Sequence, residues 1–297
     1  MSKMIVATHK EFNNNWLPED YVVIKVGELV SNDRAMELGW YCDNQPNDNI
    51  SNQNPWYCEL TAQYSALSLF EKEGGAMGLS HYRRFFFNYK KDSKTWHDDV
   101  LRMKDAEGFL RNNDIILPFR SVKYPGLSEL HTGISDEKQD SHWVTIRNII
   151  YRKFPEYRDS FDAIMADKYT VWGNMFIASS KVFFSYSRWL FEVLKEYDQT
   201  LQERGEERIP RVDGFLAEPL LLVWVDKNIN HNRIVRLEVR NSETDSFVDY
   251  TAGIRGRIMR KIRNNHFFLA AGRELRVKYL VLYRYYAKKL AARIGKR

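Results

Sequence analysis

Cysteine is nearly absent: Cys42 and Cys58 are the only two in 297 residues, and neither has a histidine or cysteine at zinc-ligand spacing beside it. A disulfide framework and a structural zinc site are excluded, and both thiols read as reduced. Long apolar runs are missing too. Nothing approaches the roughly 18 uninterrupted apolar residues of a membrane span, and the opening MSKMIVATHK lacks the apolar core and cleavage site of a secretory leader. The protein is therefore expected in the cytoplasm unless something anchors it peripherally. Disorder is excluded by 44% hydrophobic and 14% aromatic residues. The length suits one large α/β domain or two small ones, at roughly 100–200 residues each.

Acid is scarce in one region only. Residues 251–297 hold fourteen Lys or Arg against the single acid Glu274, a charge of +13; with +6 overall, residues 1–250 carry −7. The basic character belongs to the tail, so no nucleic-acid partner follows from it. Ile254, Ile258 and Ile262 recur every four residues with Arg257, Arg260 and Lys261 turned away, and Leu275, Tyr279, Leu282 and Tyr286 keep helical spacing. The pattern predicts a basic amphipathic helical tail over 241–297 that meets an anionic membrane surface through 251–297. The alternative is a C-terminal helix packed on the body.

Apolar runs at 4–8, 21–26, 76–80, 115–117 and 174–178 predict strands. Asn54 with Pro55 predicts a helix start that runs through Leu60, Tyr64 and Leu67 to Gly74-Gly75. Thr95 is expected to cap a helix over about 96–111, residues 142–154 read as helical, and Ser180 is expected to cap a long helix with Phe183, Leu190, Leu194 and Tyr197 on one face. Within 214–225, Pro219 starts or kinks another. Residues 118–141 read as a long loop over an active site. Strands alternating with helices predict one mostly parallel α/β sheet in residues 1–240. The strand over 76–80 runs into His81-Tyr82-Arg83-Arg84, and strand ends are where such sheets place ligands.

Residues 5–9 read IVATH, 48–51 DNIS, 59–62 ELTA, 78–84 GLSHYRR, 114–118 DIILP, 174–177 NMFI and 213–218 DGFLAE. In that order, over about residues 4–235, they resemble the bacterial capsular and exopolysaccharide glycosyltransferases marked by a His-Tyr-Arg-Arg motif, a family long catalogued as a domain of unknown function. The resemblance implies a GT-A-like (Rossmann-like) fold and a nucleotide-diphosphate-sugar donor. It implies transfer of a hexosyl unit, galactofuranosyl in some relatives, to a lipid-linked glycan acceptor in capsular, exopolysaccharide or O-antigen synthesis at the inner face of the cytoplasmic membrane. A sugar-phosphate transferase and a non-catalytic, partner-recruiting subunit are the alternatives.

Such a transfer expels a diphosphate, so the site needs cations there and a base for the acceptor hydroxyl. Arg83 and Arg84 suit the diphosphate. If residues 80–86 are extended, His81, a catalytic candidate, shares a face with Arg83, while Tyr82 and Arg84 face the other way. Thr8, His9 and Lys10 close the first strand, where a nucleotide docks. Asp48 and Asn49 either bind sugar hydroxyls or form a turn. Glu59, in the first turn of its helix, either contacts substrate or balances the helix dipole. His131, with Glu129 nearby, is placed in a loop over the donor. Asn174 and Met175, with Trp172, form either an acceptor platform or core. Asp213 and Glu218 are the acceptor-base candidates, since apolar neighbours would raise a carboxyl pKa; Glu218 precedes Pro219, where the family more often has a basic residue. The usual GT-A enzyme holds Mg2+ or Mn2+ with an Asp-x-Asp after a central strand. No such pair follows an apolar strand, and Asp98 reads as a helix cap. The expectation is a metal-independent or weakly metal-dependent site in which arginines replace the cation; Mg2+ or Mn2+ held by His81 is the alternative.

Overall fold

A computed structural model describes residues 1–90, 92–122, 136–167, 169–243 and Ile258. The first elements are β1 (Lys3–Thr8), β2 (Tyr21–Lys25), α1 (Asn32–Glu37), β3 (Tyr41–Cys42), α2 (Asn54–Tyr57), α3 (Leu60–Leu69), β4 (Ala76–His81) and β5 (Arg84–Phe87). They are followed by α4 (Met103–Leu110), β6 (Ile115–Pro118), β7 (Ser121–Val122), α5 (Asp136–Lys153), α6 (Arg158–Ala166) and β8 (Tyr169–Thr170). The last are β9 (Phe176–Ser179), α7 (Ser180–Glu203), α8 (Val212–Asn228) and β10 (Ile234–Asn241).

Successive side chains of a strand point to opposite faces, and here both faces are apolar. Ile5 and Ala7 of β1, Met77 and Leu79 of β4, and Ile115 and Leu117 of β6 enter one core, shared with Leu60, Ile146, Phe183, Leu190 and Leu220. Met4 and Val6, Ala76 and Ile116 enter the other, with Trp40, Phe85, Phe86, Phe87 and Met103. A sheet covered on both sides accounts for the near-continuous apolar strands.

The parallel expectation holds for half of the sheet. β3, β2, β1 and β4 lie side by side in parallel, with Ile24 opposite Tyr41, Ile5 opposite Val22 and Ile5 opposite Leu79. The far edge of β4 is divided. Ala76 to Leu79 pair antiparallel with β9, while His81 pairs with Arg84 of β5. β5 runs antiparallel to β10, β10 parallel to β6, and β6 antiparallel to β9, so β4, β5, β10, β6 and β9 close into a ring of pairings. Gly78 allows the close approach: a Cβ there would stand 2.9 Å from Ile177 Cγ1 and 2.9 Å from Met4 Sδ.

Other expectations are corrected locally. The helix expected to run unbroken from Asn54 is split at Cys58, whose φ of 51° and ψ of −126° end α2; the Asn54 amide donates to the Cys58 carbonyl instead of capping. Thr95 and Asp98 form a reciprocal cap, but on a single turn over Trp96–Asp99 followed by extended Val100. The cap of α7 is Ser179, which accepts from the Val182 N–H. α5 begins inside the segment expected to be loop, and Pro219 lies within α8. Of the tail expected over 241–297, only residues 241–243 and Ile258 are described, and Asn241 ends β10 instead of opening a helix; His131 and Glu129 lie outside the described residues.

Candidate active site

A cavity of about 430 Å³ opens at the C-terminal ends of β1 and β4. Residues from six separate places in the chain converge on it: Ala7 and His9, Val26, the stretch from Asn54 to Glu59, the run His81 to Arg84, Trp172, and Arg211 with the start of α8. The His-Tyr-Arg-Arg run is not extended. Tyr82 and Arg83 are the two-residue turn of a hairpin, with the Ser80 hydroxyl donating to the Arg84 carbonyl across its base. With the reversal all four residues line the cavity, while Tyr82 is also part of the second core.

Behind the hairpin, the tripeptide Trp172-Gly173-Asn174 is pinned at several points. His81 donates through Nε2 to the Gly173 carbonyl at 2.9 Å, and the Gly173 N–H donates to Glu218 Oε1 at 2.5 Å. The Asn174 amide donates to Glu59 Oε1 at 2.9 Å and to the Gly214 carbonyl at 2.8 Å. Gly173 has φ of +89°, a conformation that favours glycine, and a Cβ on it would meet the end of the Arg84 side chain, Nη1, at 2.9 Å. Asn174 is left-handed as well, at φ 51°.

Two carboxyls share the cavity with opposite acidities. Burial pushes Glu59 up, but His81 at 3.4 Å, together with the Asn174 amide, outweighs it and holds the group down to about 2. Glu218, 8% exposed, is pushed up to about 8 by burial and by the Glu59 charge, against the Gly173 N–H and the arginines. One is a fixed anion; the other exchanges its proton near neutrality, the division expected of an acid–base site. His9 is lowered, by burial first and then by Lys10, Arg83, His81 and Arg211, which records how many cations point at one place. Among the described residues no three His, Cys, Asp or Glu gather into a metal-binding group.

The remaining sequence candidates fall elsewhere. Asp213 has no exposure and pairs with Arg208 Nη2 at 2.5 Å, behind the cavity wall. Asp48 accepts from the Tyr64 hydroxyl, and Asn49 forms a local turn with Pro46 and Ser51, so neither reaches the cavity. Thr8 is buried and donates to the Lys10 carbonyl; Lys10 pairs with Glu243 at 2.9 Å on the rim, where Glu243 also meets Arg83 at 3.3 Å. Met175 is core.

A family model described as a domain of unknown function, DUF4422, matches residues 3–230. The chain belongs to that family. No curated protein matches it. The apo structure of WbbM, a bifunctional glycosyltransferase, is similar in fold, with a TM-score of 0.60 at 20% identity over 83% of this chain. This chain spans 46% of WbbM's length.

In this DUF4422 chain the main residue that the sequence did not announce is Arg211. It precedes α8 in a left-handed conformation (φ 66°), its N–H donates to the Pro55 carbonyl at 2.9 Å, and its guanidinium lies 5.0 Å from the Phe215 ring centre. Its position immediately before the 213–218 motif was the one available signal. Cys58 also lines the cavity, but burial pushes its thiol up to about 12, too high for a nucleophile at neutral pH.

Proposed function

We propose that this protein transfers a hexosyl unit from a nucleoside diphosphate sugar to a glycan acceptor. The observation that carries the reading is the single cavity in which Arg83, Arg84, Arg211, His81 and His9 face two carboxyls of opposite acidity. At neutral pH Glu59 is an anion and Glu218 is largely neutral, so the wall is net cationic. Guanidinium groups bind diphosphate oxygens in pairs and stabilise charge as it builds on a leaving group.

In the reaction, Glu218 takes the proton of an acceptor hydroxyl and the acceptor oxygen bonds to the anomeric carbon. The bond from that carbon to the diphosphate oxygen breaks, and the electron pair leaves with the diphosphate. Glu59 holds His81, and through Asn174 and Gly173 the pair positions the backbone that orients Glu218. The nucleoside lies toward Ala7, His9 and Val26 at the ends of β1 and β2. The arginines take the place of a divalent cation.

The acceptor is carried on a lipid, and residues 251–297 bring the enzyme to the anionic face of the cytoplasmic membrane, in surface-polysaccharide assembly. Among the described residues no helix is long and apolar enough to cross a membrane. A thermal-shift screen of nucleotide sugars, followed by turnover with the hit and mass analysis of the product, tests the reading. A product heavier by one phosphate identifies a sugar-phosphate transferase instead, and binding without turnover on any acceptor identifies a silent subunit.

A further inference from the structure

Glu218 lines the same cavity as two aromatic side chains, and this says which part of the acceptor is read. Trp172 is one residue from Gly173, whose N–H donates to the Glu218 carboxyl. Phe215 is three residues before Glu218 on α8, the spacing that puts two side chains on one helical face. Both line the cavity, and Trp172 is 36% exposed there. The indole is not a loosely held surface group. Its neighbours Gly173 and Asn174 are fixed by His81, Glu59, Glu218 and the Gly214 carbonyl, so the backbone that carries the ring is held in register with the base.

The cavity therefore offers two kinds of chemistry: guanidinium groups, from Arg83 and Arg84 on the hairpin and from Arg211, which lies 5.0 Å from the Phe215 ring, and the aromatic side chains of Trp172 and Phe215. Phosphate chemistry uses the first and has no use for the second. An aromatic side chain at the wall of a cavity that also offers polar groups suits the C–H face of a sugar ring, whose hydroxyls project sideways toward hydrogen-bonding groups. Resting on the transfer reading above, we propose that Trp172 and Phe215 form an acceptor subsite that stacks one sugar ring and presents its hydroxyl to Glu218. The acceptor is then recognised by its terminal sugar and not by the lipid or phosphate that carries it.

The test measures binding before chemistry. A panel of methyl glycosides and methyl disaccharides is titrated against wild type, Trp172→Ala, Trp172→Phe and Phe215→Ala by saturation-transfer NMR and calorimetry, with uridine, guanosine and thymidine diphosphates titrated in parallel. The expected result is that at least one glycoside binds wild type, that Trp172→Ala weakens it about tenfold or more, and that Trp172→Phe recovers most of the loss. Nucleoside diphosphate affinity moves by less than about threefold, since that ligand uses the guanidinium groups. Equal glycoside affinity in wild type and Trp172→Ala overturns the subsite, as does the absence of glycoside binding to wild type. So does a vesicle carrying polyprenyl phosphate that binds through Trp172 while glycosides do not. Glycoside binding that depends on Trp172, in a protein that turns over no nucleotide sugar, leaves the subsite standing and sinks the transfer reading.

Discussion

Helix α8 carries two buried carboxyls, and the regions around them differ in what the burial is for. Around Asp213, Arg208 closes a dry ionic cluster: its Nη2 reaches Asp213 Oδ2 at 2.5 Å, its Nε lies 3.0 Å from Asp198 Oδ1, and the Tyr57 hydroxyl donates to Asp198 Oδ2 at 2.9 Å. The guanidinium also lies 4.4 Å from the Trp56 ring, so the cluster ties α2, α7 and α8 together. Around Glu218 the partner is a backbone N–H and the neighbour is an open cavity. Burial raises both acids, Asp213 to about 7 and Glu218 to about 8. A raised pKa therefore does not mark a catalytic group. Access to substrate and a partner that leaves the proton free to move do.

The largest expected contrast is in stability. Arg208→Ala leaves two aspartates buried without their cation and should lose about 3–5 kcal/mol in urea unfolding. Glu218→Gln should show no such loss, and an equal loss in both would erase the distinction between the two regions. In turnover the order reverses. Glu218→Gln should lose about 10²-fold or more, as expected when a positioned base is removed, and retention of more than a tenth of the wild-type rate would exclude it as the base.

The adjacent arginines should also separate. Arg84 packs against Gly173 beside Glu218, whereas Arg83 is 39% exposed and held by Glu243 on the rim. Arg84→Ala should cost about 10²-fold in turnover with folding intact, and Arg83→Ala less. Equal, near-wild-type rates for both would remove the diphosphate role from the hairpin.

Acidity supplies a finer test. Glu218 is raised from 4.5 to about 8, so its contribution to stability is full below 4.5 and is lost as pH rises through about 8. Glu59, lowered from 4.5 to about 2, contributes above 4.5 and loses that contribution as pH falls toward 2. The melting temperature of wild type relative to Glu218→Gln should therefore decline between pH 4.5 and 8, while turnover climbs over the upper part of that range as the base form accumulates. A flat difference would place the carboxyl in ordinary solvent. The smallest expected effect is that of chelator, which should leave most activity in place; complete loss restored by Mn2+ would overturn the arginine-for-cation reading.

What could be read in advance follows physical range. Five strands, β1, β2, β4, β6 and β9, were legible because apolar runs are local, and the His81–Arg84 segment stood out through its place in an ordered set of motifs; β3, β5, β7, β8 and β10 were not anticipated. The hairpin was misread as extended because Tyr82-Arg83 lacks the Asn-Gly or Asp-Gly signature of a two-residue turn. Asp213 and Glu218 looked alike because apolar neighbours report burial and not direction. Five residues along a helix turn through about 140° from one another, so one faces the ions and the other the cavity. Arg211 was not legible, since a left-handed arginine follows from the contacts around it. The ring was invisible for a related reason: its closing pairs, such as Phe86 with Val239, join parts of the chain far apart in sequence.

That ring has a consequence for the order in which the protein is made. β10 is the last described strand to leave the ribosome, yet it lies between β5 and β6. Until it arrives, the strand Arg84–Phe87, with three consecutive phenylalanines, presents an unpaired edge of the kind that recruits other strands. The family match ends at residue 230, before β10 begins. An expression boundary drawn at 230 would remove a central strand and leave that aromatic edge permanently open, producing an aggregating fragment in place of a shorter enzyme.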